Sequence, residues 1–159
     1  MPRFRPIARS AAAGLTLTLS IFAGGCHFER TTSTPLAPAQ IDVTGRWATD
    51  LTVQGLTGRM TWTLTQTTGS ISGPVLVSMT NGFVLLNGVL AGTLNGSSLT
   101  YTITVAPGAI PNQPSCSGRL AGTMTVVMGI VSTMTGPISL TSSTCSLQLP
   151  ATPIVLTKT

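Results

Sequence analysis

From Gly45 onward, apolar and polar residues alternate with a period of two, and this limits the fold more than any other feature of the chain. Met60-Thr61-Trp62-Thr63-Leu64-Thr65 and Leu99-Thr100-Tyr101-Thr102-Ile103-Thr104-Val105 place an apolar residue at every second position, with β-branched hydroxyl residues between. Successive side chains of a strand point to opposite faces, so such a run has one buried and one solvated face, and threonine suits the solvated one. No segment of this region repeats at a helical period. Turn signals at Gln54-Gly55-Leu56-Thr57, Thr68-Gly69, Asn81-Gly82, Asn95-Gly96, Met128-Gly129 and Ser142-Ser143 cut the run into short strands joined by tight connections. The predicted strands are 45–53, 58–67, 70–80, 83–94, 97–106, 117–127, 130–141 and 144–157.

Eight consecutive antiparallel strands remove their exposed edges by closing on themselves. The expected fold is therefore all-β, an eight-stranded antiparallel up-and-down β-barrel, with a two-sheet β-sandwich as the alternative. In the first hairpin a loop at residues 54–57 puts Leu51 opposite Met60, Thr49 opposite Trp62 and Trp47 opposite Leu64. Both tryptophans then point inward, and Asp50 faces outward diagonal to Arg59 as a surface ion pair. The long connection 107–115 carries Pro107, Pro111 and Pro114 and reads as a surface loop, while Pro74, Pro137 and Pro150 require edge, bulge or strand-end positions. Leu90-Ala91-Gly92-Thr93 is echoed by Leu120-Ala121-Gly122-Thr123, and Gly73-Pro74 by Gly136-Pro137, which reads as shared strand chemistry and not as a solenoid repeat.

The residues before this region have a different character. Arg3, Arg5 and Arg9 precede an apolar, small-residue run from Ala11 to Gly25 that is too short to span a bilayer, the pattern of a secretory signal peptide. Ile21-Phe22-Ala23-Gly24-Gly25-Cys26 resembles the lipobox of bacterial lipoproteins. That resemblance implies cleavage before Cys26, lipidation of the Cys26 thiol and attachment to a membrane, by default the outer membrane of a bacterial envelope. Ala23 stands where the family prefers a leucine-like residue, and Ala23-Gly24-Gly25 equally suits an ordinary signal peptidase, so a secreted soluble protein is the alternative. The expected organisation is a signal peptide over 1–25, a lipidated N-terminus and tether over 26–44, and a β-barrel domain over 45–159. The tether is rich in Thr and Pro, lacks glycine, and its stretch 27–44 reaches at most about 60 Å when extended.

Removing residues 1–25 takes away three of the eight basic residues and leaves five against three acids, scattered along the chain. That balance is no electrostatic footprint for nucleic acid. Of the three cysteines, lipidation of Cys26 leaves Cys116 and Cys145 as an even pair in an exported chain, the usual condition for a disulfide, worth about 3 kcal/mol by restricting the unfolded chain. The predicted strands put Cys116 at the start of the sixth and Cys145 at the start of the eighth. Alternate strands lie about 9.6 Å apart, too far for a disulfide, so the bridge requires either the Pro-rich loop crossing the seventh strand or a topology that is not a plain meander.

Gly45-Arg46-Trp47 at the start of the first strand looks like the Gly-x-Trp that opens lipocalins and avidins, and the resemblance extends over about residues 45–157 as a predicted meander. It implies a calyx able to hold a small apolar ligand. Lipocalins set an arginine near the chain end against the opening tryptophan; here only Lys158 is available for that place. Avidins line their site with several tryptophans, and this domain has only Trp47 and Trp62, so biotin is not the expected ligand. Trp47, Trp62, Tyr101 and inward-facing Gln66 are the residues able to give a cavity specific character, with Met60, Met79 and Met124 as flexible lining; the alternative is that they fill the core.

Catalytic chemistry is not expected. The single histidine, His27, adjoins Cys26, and the acids offer no paired-carboxylate site, no nucleophile–histidine arrangement and no metal-ligand cluster. No cofactor is implied. Two classes of function remain: a lipid-anchored calyx for a small hydrophobic ligand, or a non-enzymatic structural or protein-interaction lipoprotein whose barrel is filled by its own side chains and whose Thr-rich face or Pro-rich loop meets a partner.

Overall fold

The computed structural model describes residues 40–53, 55–145 and 151–159. The stretches expected to be a signal peptide, a lipobox with Cys26 and most of a tether lie outside the described residues, as do Gln54 and Pro150. Eight strands follow in order: β1 (Gly45–Val53), β2 (Leu56–Thr67), β3 (Ser70–Met79), β4 (Val84–Asn95), β5 (Ser98–Val105), β6 (Gly118–Val127), β7 (Thr133–Ser143) and β8 (Thr152–Lys158). Each pairs antiparallel with the next, and β8 returns to β1 through Trp47–Lys158 and Ala48–Thr157, closing an up-and-down barrel. The sandwich alternative is excluded by that closure. Along β5 burial alternates as the sequence pattern requires: Leu99, Tyr101, Ile103 and Val105 point inside and the threonines between them do not.

The first hairpin differs from its predicted register by two residues. Val53 pairs with Leu56, so Trp47 lies opposite Trp62 and Thr49 opposite Met60. Gly55, at φ 79°, supplies the left-handed residue that a two-residue connection needs, and pairing therefore continues to the very end of both strands. A slip of two leaves every side chain on its face, and both tryptophans are inside. It also brings Asp50 directly opposite Arg59, with Nη1 and Oδ1 3.4 Å apart, both side chains exposed.

The two Leu-Ala-Gly-Thr echoes flank the same strand. Leu90, Ala91, Gly92 and Thr93 of β4 pair with Ile103, Thr102, Tyr101 and Thr100 of β5, and Leu120, Ala121, Gly122 and Thr123 of β6 pair with the same four residues from the other side. Tyr101 thus lies between two glycines. A Cβ on Gly92 would meet the Tyr101 Cβ at 3.2 Å, and one on Gly122 would sit 2.9 Å from the Tyr101 hydroxyl. The repeated motif is a cradle for one aromatic ring, reproduced on both neighbours of β5.

The Gly-Pro echoes have a related cause. The β2–β3 ladder passes from Trp62–Val75 to Thr65–Ser72, and the β6–β7 ladder from Ala121–Ser139 to Thr125–Thr135; the residues skipped on β3 and β7 are Gly73-Pro74 and Gly136-Pro137-Ile138. Proline has no N–H to donate, so it occupies the places where these ladders open.

The last predicted strand is the main correction. Ser142 and Ser143 are not a turn but the end of β7, pairing with Arg119 and Gly118 after a register shift between Arg119 and Leu120. The Thr141 hydroxyl donates to the Arg119 carbonyl, and the Thr144 N–H donates to the Ser117 carbonyl, carrying the contact past the strand end. Cys116 and Cys145 therefore flank neighbouring strands, β6 and β7, with Cα atoms 5.1 Å apart and their sulfurs bonded. The bridge is compatible with a plain meander and requires no loop to cross a strand.

Candidate functional site

The two ends of the barrel are built differently. At the end formed by the start of β1 and the end of β2, residues 41–44 fold against the barrel instead of belonging to the tether. Val43 is fully buried. Its N–H donates to Gln66 Oε1 (2.9 Å), Gln66 Nε2 donates to the Ile41 carbonyl (2.9 Å), and Trp47 Nε1 donates to the Val43 carbonyl (2.8 Å). The alternation Ile41-Asp42-Val43 before Gly45 is the signal that marks this segment as structured. Asp42 faces outward, where bonds from the Thr44 hydroxyl and N–H hold its carboxyl below the usual range.

Above this plug the closed half is solid with side chains. Trp47 and Trp62 are fully buried, and the Trp62 and Tyr101 rings meet at 4.9 Å between centroids, tilted by 60°. The Tyr101 hydroxyl donates to the Pro137 carbonyl (3.0 Å), in the opening that Gly136-Pro137 makes in the β6–β7 ladder. Burial pushes its phenol well above its ordinary pKa. The Trp62 indole N–H has no partner among the described residues. Lys158 places its ammonium 5.5 Å from the centre of the Trp47 ring, a cation over an aromatic face.

The opposite half holds a cavity of about 530 Å³. Its walls are Met60, Val75, Val77, Leu86, Ile103, Leu120, Ile138 and Ile154, all apolar. Polar groups come from Thr49, Asp50, Thr52 and Thr152 and from Asn112 and Gln113 of the Pro-rich loop. That loop, 106–117, is ordered over the mouth by its own bonds: Gln113 N–H to the Ile110 carbonyl, Gly108 N–H to the Pro114 carbonyl, and Asn87 N–H of β4 to the Ala109 carbonyl. Ala109 and Ile110 pack against the core beneath it. The Cys116–Cys145 bond ties the loop's far end to β7.

The residues singled out in the sequence fall in the other half. Trp47, Trp62, Gln66 and Tyr101 come together, but as the packing and strapping of the closed end; none lines the cavity. Of the three methionines considered, Met60 lines it, Met124 is packed in the core and Met79 does not contribute. The aromatic residues were the conspicuous ones, whereas the true lining is aliphatic and reads in sequence like any other core. The usable signal was size. Inward positions of β3 and β4 away from the tryptophans carry Val77 and Leu86, which leave the interior of an eight-stranded barrel unfilled.

Among the described residues no three His, Cys, Asp or Glu side chains converge on a point that could hold a metal ion. The chemistry on offer is apolar enclosure with hydrogen-bonding groups at one rim. No family model, no curated protein and no solved structure matches this chain.

Proposed function

We propose that the protein is a membrane-anchored lipoprotein of the bacterial cell envelope, without enzymatic activity, that holds a small apolar ligand in its barrel. The observation that carries the binding reading is the aliphatic cavity beneath the Pro-rich loop. Its volume of about 530 Å³ lies within the range of small-molecule sites, and its lining is mostly aliphatic, with Asp50, Asn112, Gln113 and three threonines as the groups able to orient a ligand whose body is apolar. The anchoring reading rests on the lipobox-like stretch ending at Cys26.

Native mass spectrometry of the gently extracted protein tests the binding. A small molecule is expected to co-purify and to be lost on Val77→Trp, which places a bulky ring inside the cavity, with affinity falling at least about tenfold while the fold is kept. A bare mass, together with no ligand-induced rise in Tm across a panel of lipids, overturns it. The reading then left is a structural or protein-interaction lipoprotein, which the solid packing around Trp47, Trp62 and Tyr101 favours. For the anchor, Cys26→Ser is expected to abolish membrane association and to remove the acyl mass; unchanged association and mass would show that Cys26 carries no lipid.

A further inference from the structure

We propose that the turn between β6 and β7 is a lipid-contacting tip that seats the closed end of the barrel on a membrane surface. Large apolar side chains are concentrated there as nowhere else among the described residues. Val127 and Met128 are exposed, Val131 is 63% exposed, and Ile130 is completely so, at 108%. The six residues Val127–Ser132 carry no charge. The ordinary solution for a hairpin end is the polar chemistry used elsewhere in this barrel, at Thr68-Gly69 and Asn95-Gly96. A cluster of apolar side chains pointing into water marks a contact surface.

Two observations point to a lipid surface as the partner. First, the tip lies at the end where the chain comes into the domain: the Lys158 N–H donates to the Ser132 carbonyl, and the Lys158 ammonium reaches the Asp42 carbonyl at 3.4 Å. A bilayer attached at Cys26, 14 residues before Gln40, is within about 50 Å of this end and of no other surface so directly. Second, the basic residues Lys158 and Arg46 belong to the same end of the barrel as the tip, Lys158 through its N–H bond to the Ser132 carbonyl and Arg46 through its carbonyl bond from Thr159, and basic residues there suit an anionic lipid surface. Asp42 is the one acidic side chain among the described residues at this end; Asp50 is paired with Arg59 toward the other. Seated in this way, the barrel would turn the mouth of its cavity away from the membrane. The tip draws on the proposed anchoring for proximity alone, and its own chemistry is independent of it.

The test uses the full mature chain, lipidated and as Cys26→Ser, each with Ile130→Trp, mixed with phosphatidylglycerol-containing vesicles whose acyl chains are brominated. Trp47 and Trp62 are buried and give a constant background. The indole added at position 130 is expected to shift to the blue and to be quenched about twofold or more on vesicles, in the lipidated chain strongly and in Cys26→Ser at higher lipid concentration. Ile130→Ser with Val131→Ser is expected to weaken vesicle binding of the Cys26→Ser chain at least about threefold without lowering Tm, since both side chains are outside the core. A lipidated chain that floats with vesicles while the added indole stays unquenched overturns the tip and leaves the anchor standing. Quenching in both chains with equal affinity keeps the tip and removes the anchor. Absence of quenching in both, or a blue shift that grows with protein concentration and not with lipid, overturns the tip, the latter in favour of a second copy of the chain.

Discussion

Trp47→Ala is expected to lower stability by about 3–5 kcal/mol, the range for deleting a fully buried large aromatic side chain. The tryptophan is at 0% exposure and is held by three unrelated elements: Trp62 across the first hairpin, the Val43 carbonyl and the Lys158 ammonium. Its loss leaves a void at the foot of the barrel, removes the bond that fixes the plug at residues 41–44, and strands Lys158 at the β1–β8 seam. That seam is paired through Trp47–Lys158 and Ala48–Thr157 and is the shortest ladder in the barrel. Urea denaturation of the full chain and of Trp47→Ala gives the difference directly. A change below about 1 kcal/mol would mean that the closed half collapses around the missing ring and that the plug is held by Gln66 alone. Lys158→Met separates the parts, since it keeps most of the apolar stem and removes the cation over the ring.

Replacing both Cys116 and Cys145 with serine is expected to cost about 3 kcal/mol, because the bond closes a sequence separation of 29 residues in the unfolded chain. In the folded chain it does something more local. It fixes the end of the Pro-rich loop beside β7, and Ile110, Asn112 and Gln113 of that loop are part of the cavity wall. The double variant should therefore release a bound apolar ligand faster as well as melt earlier, while variants that destabilise the closed half, such as Trp47→Ala, should melt earlier with ligand release unchanged below the transition. Calorimetry with and without reductant, alongside dissociation kinetics of the ligand found by native mass spectrometry, distinguishes these effects. Equal dissociation rates with the bond present and absent would show that the loop does not roof the site.

Much of the barrel was legible in the chain because strand physics is local. Alternation in Met60–Thr65 and Leu99–Val105 follows from side chains pointing to opposite faces, and glycine turns such as Gly69 and Gly96 follow from backbone freedom at positive φ, so strand number and order could be read without any long-range contact. Register was less legible. The first hairpin was off by two residues, because a four-residue loop and a two-residue turn place the same side chains on the same faces and differ only in how far pairing continues. The end of β7 was misplaced for a similar reason: serine pairs that look like a turn extend a strand when neighbouring β6 offers Gly118 and Arg119 as partners.

The candidate site shows where local reading stops. Trp47, Trp62, Gln66 and Tyr101 were identified correctly as inward-facing or specially placed, but whether an inward residue packs or lines a cavity depends on the sum of volumes contributed by eight strands at one level of the barrel. At the level of Trp62 and Tyr101 two large rings fill the section; toward the mouth, Val77 and Leu86 do not. The paired motifs Leu90–Thr93 and Leu120–Thr123 likewise gained meaning only when both were found against Tyr101.

The sequence by itself determined the all-β meander, the direction in which each strand presents its apolar face, and the pairing of two cysteines, since each depends on residue type and spacing alone. Only the tertiary structure decided which half of the barrel is solid and which is hollow, and that the disulfide joins neighbouring strands. Those are properties of residues far apart in the chain, and packing volume and the closure of β1 on β8 have no signature within any one segment.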